Sequence, residues 1–166
     1  MPTLIRLADG RCSASTDPFV DLADEDALPP DGPVILSLAR FQADGDALVS
    51  AGRPVGVRLA PDEAVEDLAY DLPRLALVAV VFPRFGDGRG YSSAALLRGR
   101  LGYAGEIRAV GEVLREQAAF LVRAGFDAFL PTDGSGAAAW AAAAGRYRHV
   151  YQRAADARAP AFEERG

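Results

Sequence analysis

ALVAVVFP, residues 76–83, is the stretch on which the fold turns. It is apolar up to its closing proline and rich in valine, with no polar residue at alternate positions. A strand with one wet face alternates polar and apolar side chains. A continuous run bounded by turn residues is how a strand covered on both faces reads. The next ten residues, RFGDGRGYSS (84–93), hold three glycines, two arginines and an aspartate. SSAALLRGRLGY, residues 92–103, then has the composition of a helix, with Ser92 or Ser93 as N-cap and Gly102 near the stop. Strand, glycine-rich loop and helix together make one β-α unit.

The unit repeats on either side. Upstream, VILSLARF from Val34 predicts a strand, ADGDALVSAG a short helix closed by Gly52, and PVGVRLA a second strand. APDEAVEDLAYDL, residues 60–72, predicts a helix with Pro61 at its first position and Asp62 and Glu63 in its first turn. Downstream, EIRAVGE predicts a strand. VLREQAAFLVRAGF comes next as a helix with Val113, Leu114, Ala118, Leu121 and Val122 on one face, closed by Gly125. DAFLPT is a short strand, GSGAAAWAAAAGRY an alanine-rich helix capped by Ser135, and HVYQ a last strand.

This order predicts an α/β domain of about five β-α units with a mainly parallel sheet. Two layouts fit, an open twisted sheet and a partial TIM-like barrel. LIRLADGRC at the N-terminus reads as a small β element turning at Asp9-Gly10. The expected organisation is a single domain: 1–33 as β element and acidic connector, 34–152 as the repeat core, and 153–166 as a frayed tail. A five-unit sheet leaves edges to bury, so a homodimer is expected.

Composition narrows the chemistry. The chain has one cysteine, Cys12, and one histidine, His149. That is too few for an internal disulfide or a His/Cys zinc site, and no metal is expected. All eighteen basic residues are arginine. Without lysine there is no Schiff base, no pyridoxal phosphate attachment and no P-loop. A net charge of −5 disfavours generic nucleic-acid binding. No apolar run reaches membrane-spanning length and no secretory signal is seen, so a cytoplasmic protein without a membrane partner is expected.

Ligands of parallel α/β sheets bind at the carboxyl ends of the strands. The residues expected there include Arg40, Arg58, Asp62, Arg84, Asp87, Arg89, Glu112, Thr132 and Asp133. The candidate anion-binding set is Arg84, Asp87, Gly88, Arg89, Gly90 and Ser92 in the loop after residues 76–83, with Arg40, Arg58, Arg108 and Glu112. Guanidinium groups beside a helix N-terminus suit phosphate, sulfate, sulfite or a carboxylate. The plainer reading is a tight turn whose Arg84 and Asp87 pair at the surface. Arg108, inside a strand, either faces the centre of a curved sheet as an anion ligand or marks an exposed segment. GDGRG departs from the dinucleotide fingerprint by one position. The cofactor and the catalytic residues are unknown from the sequence.

FPRFGDGRGYSSAALLRGRLGYAGEIRAVGEVLREQAAFLVRAGFDAF, residues 82–129, resembles the hallmark block of a bacterial family of unknown function. Its members are labelled as oxidoreductases of sulfite reduction because they are encoded beside assimilatory sulfite reductase. GVRLAPDEAVEDLAYDLPRLALVAVVFP and YRHVYQRAAD extend the resemblance over most of the chain. Ala124 stands where many members carry a cysteine. The resemblance implies a role in sulfur assimilation, with sulfite reductase or another enzyme of that pathway as a partner. It is compatible with three functions: an accessory protein binding a small oxyanion or a pathway partner, an oxidoreductase with an unidentified cofactor, or a structural dimerising module.

Overall fold

The computed structural model describes residues 3–164. The strands are β1 (Leu4–Ala8), β2 (Arg11–Ser15), β3 (Val20–Asp21), β4 (Val34–Ser37), β5 (Val55–Leu59), β6 (Leu77–Phe82), β7 (Glu106–Gly111) and β8 (Ala128–Phe129). They form one eight-stranded sheet in the order β2-β1-β8-β7-β6-β5-β4-β3. The apolar run at 76–83 supplies β6, buried along nearly its whole length and flanked in parallel by β5 and β7.

The sheet is mixed, which corrects the expectation of a mainly parallel one. The N-terminal hairpin is not a separate element. Its β1 pairs antiparallel with β8 on one side and with β2 on the other. β1 thereby occupies the edge that a last parallel strand would have used, and HVYQ forms no strand. The hairpin turns at Asp9 (φ 50°) and Gly10 (φ 73°), as the Asp-Gly pair predicts.

Chain length dictates curvature. β2 and β3 are the two outer strands, yet only residues 16–19 join them. Seven strand spacings of about 4.8 Å would set the edges of a flat sheet about 34 Å apart, and five Cα steps reach at most about 18 Å. The sheet therefore curls into a half-barrel, with this short strap closing its mouth.

The two faces of the sheet differ. Val78, Val80 and Phe82 of β6 meet the helices, in one cluster with Leu38, Phe41, Ala94, Leu97, Leu121 and Trp140. Leu77, Ala79 and Val81 point the other way, into a smaller cluster with Ile35, Val110, Phe19 and Leu130. The helices thus pack on the outer face, and the inner face is covered by Phe19 of the strap.

Four helices supply that outer layer. α1 (38–50) is helical throughout but widens into a π-turn at Phe41–Gly45. α2 (Arg89–Ala95) continues through a second π-turn, Leu96–Arg100. α3 (Ala118–Ala124) ends at Gly125, whose φ of 113° only glycine adopts readily. α4 (Ala137–Ala144) buries one large side chain, Trp140. The helix predicted for 60–72 is two 3-10 turns, Val65–Leu68 and Leu72–Arg74. Pro73 has no N–H and its ring would clash with the carbonyl four residues back in a continuous helix, whereas it is tolerated near the start of a new turn, where it stands. Among the described residues, no helix is long and apolar enough to cross a membrane.

Candidate functional site: an arginine row on the inner face

Strand register assembles a feature that the linear sequence does not display. Ser37 pairs with Arg58, Arg58 with Ala79, Ala79 with Arg108, Arg108 with Ala128, and Ala128 with Arg6. These residues form one row across β4, β5, β6, β7, β8 and β1. Because side chains alternate along a strand, all of them face away from the helices. The row alternates arginine with a small residue, serine or alanine, so each long side chain has small neighbours on the adjacent strands. Layers drawn from alternate strands also fill the interior of closed β/α barrels.

Arg108 is the centre of the row and is 1 % exposed. Its Nε donates to Glu106 Oε1 at 2.8 Å and its Nη1 to Asp17 Oδ2 at 2.6 Å. The Phe19 ring lies 5.6 Å from its guanidinium carbon, a cation–π contact. Glu106 also pairs with Arg6 Nη2 at 3.2 Å. Asp17 accepts from Phe19 N at 3.1 Å, which fixes the strap's own turn. A buried arginine in a strand is thus held by two carboxylates and an aromatic ring, and two of those three groups come from residues 16–19.

Three buried polar atoms here have no partner among the described residues: Arg108 Nη2, Arg6 Nε and Ser15 Oγ. Ser15 is the last residue of β2, where the strap begins, and pairs in register with Leu4. A buried donor left unpaired costs about 1–3 kcal/mol. Two of these atoms belong to guanidinium groups, where the cost is higher.

The other end of the row is spent on the acidic connector. Arg58 pairs with Asp21 and approaches the carbonyl of Leu22. Burial pushes the Asp21 carboxyl up, against the opposing pull of Arg58. Ser37 Oγ donates to Asp24 at 2.6 Å, and Arg40 donates to the carbonyls of Ala23 and Asp26 at 2.5 and 2.8 Å. Arg40 and Arg58 thus anchor residues 21–26.

The glycine-rich loop lies apart, on the carboxyl rim. Arg84 is exposed. Arg89 donates to both carboxylate oxygens of Asp87, and Asp87 Oδ1 also accepts from Arg89 N at 3.1 Å. The negative charge that the start of α2 attracts is therefore supplied by Asp87 itself. Gly88 precedes α2, Ser92 is exposed within it, and Gly90 packs against the Phe82 ring, where a Cβ would come within 2.7 Å. Glu112 accepts from Phe85 N at 3.1 Å, so it clamps the loop to the end of β7. The structure brings together Arg84, Asp87, Gly88, Arg89, Gly90, Ser92 and Glu112 on the rim, and Arg58 and Arg108 in the inner row.

The Arg89 hydrogen bonds hold Asp87 well below its ordinary 3.8, at about 2. A depressed carboxyl pKa stabilises the fold above the ordinary value, and that stability is lost as pH falls through the folded one. Asp87→Asn should therefore melt below the parent protein near neutral pH. The gap should close between about pH 4 and pH 2, as read from thermal melts across that window.

Arg6, Ser15, Asp17, Phe19, Asp21 and Glu106 belong to the inner site, and no sequence motif singles them out. The one local signal is Arg6, a charge inside the strand Leu4–Ala8. Its partners become visible only through strand pairing and the crossing of the strap.

A family model described as a bacterial protein of unknown function (DUF934) matches residues 56–162, well over half of the chain, and the protein belongs to that family. No curated protein matches it. The matched region contains β5 except Val55, β6 to β8 and α2 to α4, and with them Arg58, Glu106 and Arg108.

Proposed function

We propose that this family member is an accessory protein of assimilatory sulfite reduction that binds a small oxyanion on the inner arginine row. The observation that carries the binding half is the unpaired Nη2 of Arg108, on a side chain 1 % exposed, together with the unpaired Nε of Arg6, which shares the Glu106 carboxylate with it. A guanidinium offers five N–H groups in a fixed fork. Its natural partner is an oxyanion with several acceptors, which also supplies charge in a desolvated setting. The pathway half rests on the resemblance of residues 82–129 to proteins encoded beside sulfite reductase.

The loop at 84–92 is a weaker host. Its aspartate already meets Arg89 and the start of α2. The inner row has donors to spare, so the anion belongs there. Residue by residue, Arg108 and Arg6 would grip the oxyanion and Ser15 Oγ would donate to it, while Glu106 holds the two arginines in position.

Calorimetric titration with sulfite, sulfate and phosphate tests the binding half. Arg6→Gln, at a half-exposed position, should weaken anion binding by about tenfold or more, the worth of a hydrogen bond to a charged group. Arg89→Ala should leave it unchanged. The reverse pattern would place the anion on the rim loop. The pathway half is tested by mixing the protein with assimilatory sulfite reductase. Co-elution or a changed rate of sulfite turnover supports it, and the absence of both overturns it.

A further inference from the structure

We propose that the oxyanion carries a small apolar body, as in an organic sulfonate or carboxylate, and that its head replaces the Asp17 carboxylate on Arg108. This rests on the oxyanion reading of the row and names its ligand class.

The strap already shows what the row accepts. Asp17 places a carboxylate on Arg108, and two residues later Phe19 lays an aromatic ring over the same guanidinium. Head and ring form one unit, an oxyanion joined to an apolar body, delivered by the chain itself. Among the described residues Asp17 is held by one group of the strap, Phe19 N, and one of β7, Arg108. Displacing it breaks no strand pairing, because residues 16–19 belong to no strand.

Space beside the strap fits a ligand larger than a bare anion. A cavity of about 370 Å³ is lined by Ser15, Thr16, Asp17, Phe19, Asp21 and Leu130. A bare oxyanion of four or five heavy atoms fills roughly 100 Å³, on the scale on which one water takes about 30 Å³. Leu130 and Phe19 form an apolar wall, Ser15 and Thr16 add hydroxyls, and Asp17, which also lines the cavity, is the group that reaches Arg108. A second hollow shares Leu130 and leads toward Gly111 and Thr132 at the carboxyl rim, which gives a longer body room to extend.

Charge explains why exchange is required. Arg6, Arg58 and Arg108 are balanced by Asp17, Asp21 and Glu106. An anion that entered without displacing Asp17 would add an unbalanced charge in a desolvated place. By exchanging with Asp17 it leaves the balance intact, and the released aspartate reaches water.

The experiment is calorimetric titration of the full chain with sulfate as the bare probe and benzenesulfonate as the organic one. The wild type should bind benzenesulfonate about tenfold more tightly than sulfate, as burial of a small apolar body predicts. Asp17→Asn, which keeps the shape of the strap and removes its charge, should tighten both. Leu130→Ala should weaken benzenesulfonate and spare sulfate. Equal affinity for the two probes, or no effect of Leu130→Ala, overturns the organic ligand class and leaves the oxyanion site standing. Looser or unchanged binding to Asp17→Asn overturns the exchange. If neither probe binds to the wild type or to Asp17→Asn, the oxyanion reading itself falls.

Discussion

Arg108→Ala should lower the stability of the protein by about 3–5 kcal/mol, the cost of removing one partner from a buried ion pair. The effect is large because of what the truncation leaves behind. Asp17 and Glu106 are mostly buried, with side-chain exposures of 19 % and 17 %. Without Arg108, Asp17 loses its only ion-pair partner among the described residues, and of those Glu106 keeps Arg6. The strap loses both its polar and its aromatic contact with Arg108 at once. Urea denaturation of the two proteins measures the difference. A double-mutant cycle with Asp17→Asn should return a favourable coupling, because each side chain is costly chiefly when the other is missing. A loss under about 1 kcal/mol would mean that the pair is solvated rather than buried.

Trp140→Ala should cost a similar amount, about 3–5 kcal/mol, by a different route. α4 is built almost entirely of alanine, and Trp140 is its one large buried side chain. It stacks on Phe129 at 4.5 Å with the planes 20° apart, and its Nε1 donates to Ser135 Oγ at 2.9 Å. Alanine would leave a void beneath the helix that no neighbouring alanine can fill. Trp140→Phe separates the contributions: it keeps most of the stacking and gives up the hydrogen bond, at about 1 kcal/mol. Thermal or urea unfolding of the pair ranks them. If phenylalanine were as damaging as alanine, the docking of α4 would depend on the Ser135 contact rather than on packing.

Much of the fold is legible in the sequence wherever the signal is local. The unbroken apolar run at 76–83 marks the central strand, Asp9-Gly10 the hairpin turn, and Gly125 the end of α3. Each reflects a constraint within a few residues. Segment 60–72 shows the limit of such local signals. Val65, Leu68 and Leu72 have helical spacing and are buried, but the same spacing serves two 3-10 turns where Pro73 opposes a continuous helix. HVYQ reads as a strand, yet β1 already fills the place beside β8.

The site is less legible, for a physical reason. The alternation of β7 shows that Arg108 lies on the face opposite Ile107 and Ala109. Nothing in the linear order shows that Arg6 and Arg58 share its row, since their strands are brought together by register and by the antiparallel entry of β1. Asp17 and Phe19 are further removed. They matter because a four-residue link must bridge a curled sheet, and that requirement exists only once the strand order is known. The loop at 84–92 is conspicuous for the opposite reason: its charges are close in sequence, so they pair with one another.

Anion binding on the inner row is tested most directly by the guanidinium resonances of the arginine side chains in a ¹⁵N-labelled protein titrated with sulfite. The Nε–H signals of Arg6 and Arg108, assigned by substituting each in turn, should shift saturably together, while that of Arg89 stays in place. Saturable shifts at Arg89 with Arg6 and Arg108 unmoved would contradict the inner-row site and return the anion to the loop on the rim.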